Sequence, residues 1–194
     1  AVFRIDQHRS REAFISFLGD AFDGILATDR FAPYDVHPND RRQLCWAHLL
    51  RDLRAFALTT TAEARRFGER GLKIVEVLFV QWRAFQVHGD RARMKDALRP
   101  SWDRLVRLLV DGAEGTDEKV AGFSNHLIAR VEALWLFTEH DGVEPTNNPA
   151  ERALRTPVIL RKTSYGSQSE SGCRYIERML TIVETLRRQG RDVF

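Results

Sequence analysis

The chain has 194 residues, of which 43% are hydrophobic and 29% charged, so it can bury a core and is neither disordered nor fibrous. Its 30 basic and 27 acidic side chains leave a formal charge of +3, which permits a polyanionic partner without requiring one. Because no apolar run reaches the roughly 18 residues of a membrane span, no signal-peptide pattern opens the chain and only two cysteines occur, we expect a cytoplasmic protein without disulfides.

The first 50 residues have a mixed α/β pattern. Residues 1–5 predict a short strand, and the apolar side chains at 13, 14, 17 and 18 predict a helix after it. The apolar run 24–29 predicts a buried strand whose last residue, Asp29, emerges at the carboxyl edge of a sheet. Residues 43–47 fit either another short strand or the start of a helix.

The rest of the chain has the period of helices. Apolar side chains recur every three or four residues in three series, which are Phe67, Leu72, Val75, Leu78, Phe79, Trp82 and Phe85; Trp102, Leu105, Val106 and Leu109; and Val120, Phe123, Leu127, Val131, Leu134 and Trp135. A last helix carries Ile176, Met179, Val183 and Leu186 and stops near Gly190. Residues 164–172, rich in Ser and Gly, predict a loop before it.

Asp29 is the first candidate for chemistry. A carboxylate at a strand end, before the turn that contains Pro33, is well placed to hold a divalent metal. The same residue also suits a turn, in which its side chain caps the following backbone. The sequence leaves both interpretations open.

Cys45 and His48 form the second candidate. Residues three apart can share one metal, but a closed zinc site needs about four ligands, and the other cysteine, Cys173, has no neighbouring histidine. We therefore favour a structural role for Cys45 and His48.

Glu151 is the third candidate. With Asn148 as the N-cap and Pro149 at the first helical position, Glu151 has the spacing of a capping box, and Pro157 should end or kink this helix within about two turns. The same carboxylate could instead hold a metal ion beside four cations that contact a nucleic-acid backbone, which are Arg152, Arg155, Arg161 and Lys162. Arg174 and Arg178 suit either DNA contact or a solvated helix face.

Together these segments resemble the catalytic region of insertion-sequence-66 family transposases, which are of the DDE type. The matching stretches, in order along the chain, are GILATDRFAPY at 24–34, RQLCWAHLLR at 42–51, NNPAERALR at 147–155 and RKTSYGS at 161–167. Each motif alone is modest, but four in the same order are a specific signal.

The resemblance implies a fold of the α/β class that is dominated by helices: a ribonuclease H-like core, lacking its first strands, with a large all-α insertion. Residues 1–47 and 142–194 would form the partial core, and residues 48–141 the helical insertion. Residues 1–5 would then correspond to the third strand of the core.

The resemblance also implies a site and its partners. In the family, two aspartates and a glutamate bind two Mg²⁺ (or Mn²⁺) ions; Asp29 would match the second aspartate and Glu151 the glutamate. Cys45 and His48 match a Cys-x-x-His element that is more often structural than catalytic. The substrate would be the DNA of the transposon ends, without any membrane partner.

One departure from the family pattern affects activity. The first aspartate should lie several dozen residues before Asp29, and Asp6 is too close to be that ligand. We therefore expect the C-terminal portion of a catalytic region, which binds metal weakly and does not cleave DNA alone. A sheet without its first strand has an exposed edge, so we also expect a homo-oligomer or a rearranged sheet. The alternative function is a non-catalytic helical module that binds nucleic acid or protein.

Overall fold

The structure, a computed structural model, describes residues 1–19, 21–164 and 166–193. These residues form two strands and seven α-helices, which are α1 (Arg11–Leu18), β1 (Leu26–Thr28), β2 (Arg42–Leu44), α2 (Trp46–Ala57), α3 (Ala62–His88), α4 (Arg91–Ala113), α5 (Glu118–Ile128), α6 (Asn148–Thr163) and α7 (Glu170–Arg188). The helix-dominated α/β class predicted from the sequence is therefore confirmed. None of the described helices is both long and apolar enough to cross a membrane.

The chain divides into two compact units. One unit is the continuous segment Asp23–Asn147, and the other combines Ala1–Phe22 with Asn148–Phe194. In this division, β1 and β2 belong to the same compact unit as helices α2 to α5. The domain bounds that the family resemblance implies are defined differently, and they stay a prediction.

The unit formed by Asp23–Asn147 contains a parallel pair of strands. Leu26 of β1 lies opposite Arg42 of β2, and Thr28 lies opposite Leu44, which confirms a strand before Asp29. The strand is not buried as predicted, because Thr28 is buried but Ala27 is exposed. Two short 3₁₀ turns, Ala32–Val36 and Asn39–Arg41, lie in the connection between the strands.

Both interpretations of residues 43–47 are correct in part. Strand β2 ends at Leu44, helix α2 begins at Trp46, and Cys45 is the single residue between them. The apolar residues at this point therefore belong to two elements, and Leu44, Cys45 and Trp46 are all buried.

Helices α2 to α5 supply the core of this unit. The predicted apolar faces lie on α3, α4 and α5, and their buried members include Phe67, Val75, Leu78, Leu105, Leu109, Val120, Phe123 and Leu127. Phe56, Phe67 and Phe123 meet edge to face, with ring centroids 5.1 to 5.8 Å apart, the geometry that aromatic quadrupoles favour. Helix α2 approaches α3 so closely at Gly68 that a Cβ there would lie 2.3 Å from the Ala57 nitrogen.

The third apolar series is only partly helical. Helix α5 ends at Ile128, and Leu134 and Trp135 lie in and just after a 3₁₀ turn (Glu132–Leu134). The Leu134 carbonyl accepts hydrogen bonds from the Trp46 indole (2.6 Å) and the Gln43 amide (3.1 Å). The Leu134 carbonyl is therefore satisfied by tertiary bonds and not by a continued helix.

In the other unit, the predicted strand at residues 1–5 is wrong. These residues form no strand; instead, the N–H groups of Phe3 and Ile5 donate to the side chains of Thr181 (3.1 Å) and Glu177 (2.5 Å) on α7. The Thr185 hydroxyl bonds the Ala1 carbonyl at 3.1 Å. Polar side chains spaced four residues apart on a helix thus take the place of a neighbouring strand.

Helix α6 continues beyond the expected end. It runs through Pro157 to Thr163, so the proline does not end it; the alternative, a kink at Pro157, stays a prediction. Ala153 is its single buried residue, whereas Leu154 (52% exposed) and Ile159 (50%) face solvent. Of the predicted loop 164–172, Tyr165 lies outside the described residues, and α7 already begins at Glu170, capped by Ser169.

Candidate functional site

Asp29 directly follows β1, at the carboxyl end of the parallel pair. Its Oδ1 accepts a hydrogen bond from the Phe31 N–H at 2.9 Å, which is the geometry of an Asx turn. The turn interpretation of Asp29 therefore describes its local structure. The turn also fixes the orientation of the carboxylate.

The next residue anchors this turn to the helices. The Arg30 guanidinium donates to Asp52 of α2 at 2.5 Å and lies over the ring of Phe123 of α5, 4.7 Å from its centroid. A cation held by a carboxylate on one side and an aromatic face on the other has little freedom. The backbone at Asp29 is therefore held by its own turn and by its neighbour.

A second anchor lies further along the connection, at Asp35. Its carboxylate accepts from Arg42 of β2 (2.7 Å) and from Arg130 (3.0 and 2.5 Å). Burial alone would raise the pKa of Asp35, but the hydrogen bonds from Arg130 and Arg42 outweigh it and hold the pKa below its ordinary value. We call Asp35, Arg42 and Arg130 the arginine clamp.

His126 has a lowered pKa, mainly because it is partly buried. Burial and the positive charge of Arg130 and Arg30 lower the pKa of His126, so its imidazole is neutral at pH 7. The sequence analysis gave none of these residues a role of its own. Arg42 opens the 42–51 stretch, but no local pattern pairs it with Asp35 or Arg130.

Cys45 lies at the centre of several backbone contacts and is 1% exposed. Its N–H donates to the Thr28 carbonyl at 2.8 Å, and its Sγ accepts from the Asn147 N–H at 3.2 Å. His48 lies one turn further along α2. Cys45 thus contacts both the end of β1 and the segment that leads towards α6.

Glu151 lies in the first turn of α6, which begins at Asn148 itself. The predicted cations on this helix are all exposed, and they are Arg152, Arg155, Arg161 and Lys162. On α7, Arg174 differs from Arg178 because it bonds both carboxylate oxygens of Glu177 at 2.7 Å, and this bond raises its pKa. Arg174 is thereby engaged within its own helix, whereas Arg178 is exposed.

Comparison with known proteins identifies the class. Residues 1–175 match the model of the transposase IS66 family, and the chain belongs to this family. It is also 27% identical, over 208 aligned positions, to the uncharacterized protein y4qI of Sinorhizobium fredii (strain NBRC 101917 / NGR234). That alignment covers 98% of this chain and 37% of the relative, so the chain spans little more than a third of the relative's length. No solved structure matches the chain significantly.

Proposed function

We propose that this chain supplies Asp29 and Glu151 to the catalytic site of a DDE transposase, which cleaves DNA and joins transposon ends. The observation that carries the proposal is the family match over residues 1–175 together with the position of Asp29 at the carboxyl end of a parallel strand. Ligands of α/β proteins gather at this edge of the sheet. Family membership alone supports a role related to transposition, and the two carboxylates are the specific addition.

The two side chains fit a hard divalent cation. Carboxylate oxygens are the ligands that Mg²⁺ and Mn²⁺ prefer, and the Asx turn holds the Asp29 carboxylate in one orientation. When bound, such ions activate a hydroxyl nucleophile and stabilise the leaving oxygen.

The cations of α6 fit the DNA part of the proposal. Arg152, Arg155, Arg161 and Lys162 are exposed along a helix whose first turn carries Glu151. Guanidinium and ammonium groups on such a surface bind phosphates without reading bases. We propose that they hold the DNA backbone beside the metal ligands.

Paramagnetic broadening by Mn²⁺ tests the metal site even when binding is weak. In two-dimensional amide NMR spectra of the 194-residue chain, we expect substoichiometric Mn²⁺ to broaden the signals of Phe31 and Arg152 selectively. Asp29→Asn and Glu151→Gln should each reduce the broadening at both places, because both side chains would hold the same ions.

Matched controls are Asp103→Asn and Glu144→Gln, which alter exposed carboxylates on other segments. These two variants should keep the wild-type broadening. Broadening that each substitution abolishes only near itself would mean two separate surface sites and would contradict the shared site. An absence of selective broadening in the wild type, with DNA binding retained, would favour the non-catalytic helical module.

A further inference from the structure

We propose that the junction between β2 and α2, formed by Cys45 and Trp46, fixes two distant chain segments at once, each of which leads into one of the two proposed metal ligands. This inference rests on the proposed function. The segments are the end of β1, which precedes Asp29, and residues 145–147, which precede α6 and Glu151. Cys45 is a positioning residue in this proposal, because it acts on the carboxylates through the backbone.

The first contact extends the parallel pairing of the strands. The Cys45 N–H donates to the Thr28 carbonyl at 2.8 Å, one residue beyond the pairing of Thr28 with Leu44. Thr28 is 5% exposed and directly precedes Asp29. Because the peptide that links Thr28 to Asp29 contains this carbonyl, the bond fixes the plane from which the Asp29 side chain departs.

The second pair of contacts holds the segment before α6. The Trp46 N–H donates to the Pro145 carbonyl at 2.9 Å, and the Cys45 thiol sulfur accepts from the Asn147 N–H at 3.2 Å. Two bonds to residues two apart fix both the position and the direction of this segment. Asn147 is joined to the first residue of α6, and Glu151 follows four residues later.

The junction itself is held rigidly by the core. The Trp46 side chain is fully buried, donates its indole N–H to the Leu134 carbonyl at 2.6 Å, and meets Trp135 edge to face at 5.2 Å. The Gln43 amide oxygen accepts from the Phe137 N–H at 2.8 Å on the same side. A positioning element is effective only when its own conformation is locked in this way.

The thiol is the replaceable part of the junction, because its other two bonds to these segments, to the Thr28 and Pro145 carbonyls, join backbone atoms. Cys45→Ala removes the acceptor of the Asn147 N–H and leaves the bond from residue 45 to Thr28 intact. Cys45→Ser keeps an acceptor of similar size at the same position. The pair of variants therefore separates the hydrogen bond from the packing.

Amide hydrogen exchange, measured by NMR on the 194-residue chain, tests the junction directly. In Cys45→Ala we expect the Asn147 amide to exchange about three- to tenfold faster, the factor that one lost hydrogen bond produces. The amide of residue 45 should keep its wild-type rate. Cys45→Ser should restore slow exchange at Asn147, and Cys173→Ala, the control at the other cysteine, should change neither amide.

Mn²⁺ broadening then links the junction to the site. Cys45→Ala should weaken the broadening at Arg152 more than at Phe31, and Cys45→Ser should restore it. Unchanged exchange at Asn147 would overturn the inference, as would faster exchange with unchanged broadening. If the wild type shows no broadening that depends on Asp29 and Glu151, the proposed function fails, while the exchange rates still decide whether the thiol holds Asn147.

Discussion

A single buried guanidinium gives the arginine clamp its importance. The Arg42 side chain is 1% exposed, and it donates to Asp35 at 2.7 Å and to Asn39 at 3.2 Å. A charge so far from water is tolerated only beside an opposite charge. Asp35 therefore does more for the fold than an ordinary surface carboxylate.

Removing that carboxylate charge should destabilise the protein strongly. Asp35→Asn leaves Arg42 buried without a counter-charge, and we expect a loss of about 3 kcal/mol in the free energy of unfolding, measured by urea denaturation at pH 7. The control is Asp40→Asn, an exposed residue of the same connection, which should cost less than about 0.5 kcal/mol. Equal stabilities of the two variants would show that Arg42 does not depend on Asp35.

The same variant should lose part of the acid sensitivity of the wild type. Because the pKa of Asp35 is lowered in the folded protein, its charge stabilises the fold above the unfolded pKa, and this contribution disappears as pH falls through the folded value. The stability difference between wild type and Asp35→Asn should therefore shrink below about pH 4. A difference independent of pH would argue against a charged Asp35.

Among the helices, two glycines have opposite structural roles. Gly68 of α3 lies where α2 crosses, and an added Cβ would meet the backbone at Ala57 (2.3 Å to the nitrogen) and Leu53 (2.6 Å to the oxygen). Gly122 of α5 has open space around the same position. Backbone atoms cannot rotate away as side-chain ends do, so a Cβ at position 68 would fit only if the two helices moved apart.

Alanine at these two positions should change stability with opposite signs. Gly68→Ala should destabilise by about 1–3 kcal/mol through overpacking, although alanine is the better helix former. Gly122→Ala should stabilise by up to about 1 kcal/mol, since it gains helix propensity without a clash. Thermal and urea unfolding of both variants checks this, and a stabilised Gly68→Ala would mean that α2 and α3 are further apart.

Elements with a local cause were predictable from the sequence. The faces of α3 and α4 follow from side-chain spacing within each helix, and β1 follows from a short apolar run bounded by Gly24 and Asp29. The bonds of residues 1–5 to α7 could not be predicted, because an apolar segment does not reveal whether its N–H groups will meet a strand or a helix. Of the two effects predicted for Pro157, an end of the helix did not occur, because a helix can continue past one missing bond.

The candidate site, like the fold, was predictable from the sequence only in part. The position of Asp29 after a strand could be predicted, because chain order alone places it there. The arginine clamp could not, because Asp35 and Arg130 lie 95 residues apart and neither has a distinctive neighbour. Cys45 was assigned a structural role, but its bond to Asn147 spans 102 residues, and no local pattern links residues so far apart.

For the molecule as a whole, the proposed DNA surface predicts a specific salt dependence. The slope of log K against log salt concentration is negative for phosphate contacts. If Arg161 and Lys162 each neutralise a phosphate, replacing both with alanine should reduce the magnitude of this slope by about 2. Fluorescence anisotropy with a labelled duplex measures that slope. The control replaces Arg83 and Arg99, exposed cations of α3 and α4, and should leave the slope unchanged; equal slopes for both double variants would contradict a DNA surface on α6.

The difference in rise between an extended chain and a helix limits how many hydrogen bonds residues 1–5 can form with α7. Two residues of extended chain advance about 6.6–6.8 Å, whereas four residues of helix advance about 6.0 Å, so each successive bond falls further out of step. After the threonines at 185 and 181, the third bond is made by Glu177, whose longer side chain spans the accumulated offset. This mismatch limits the pairing to about three successive hydrogen bonds. The helix can therefore hold a short N-terminal segment in this way, but the pairing could not be extended along its length.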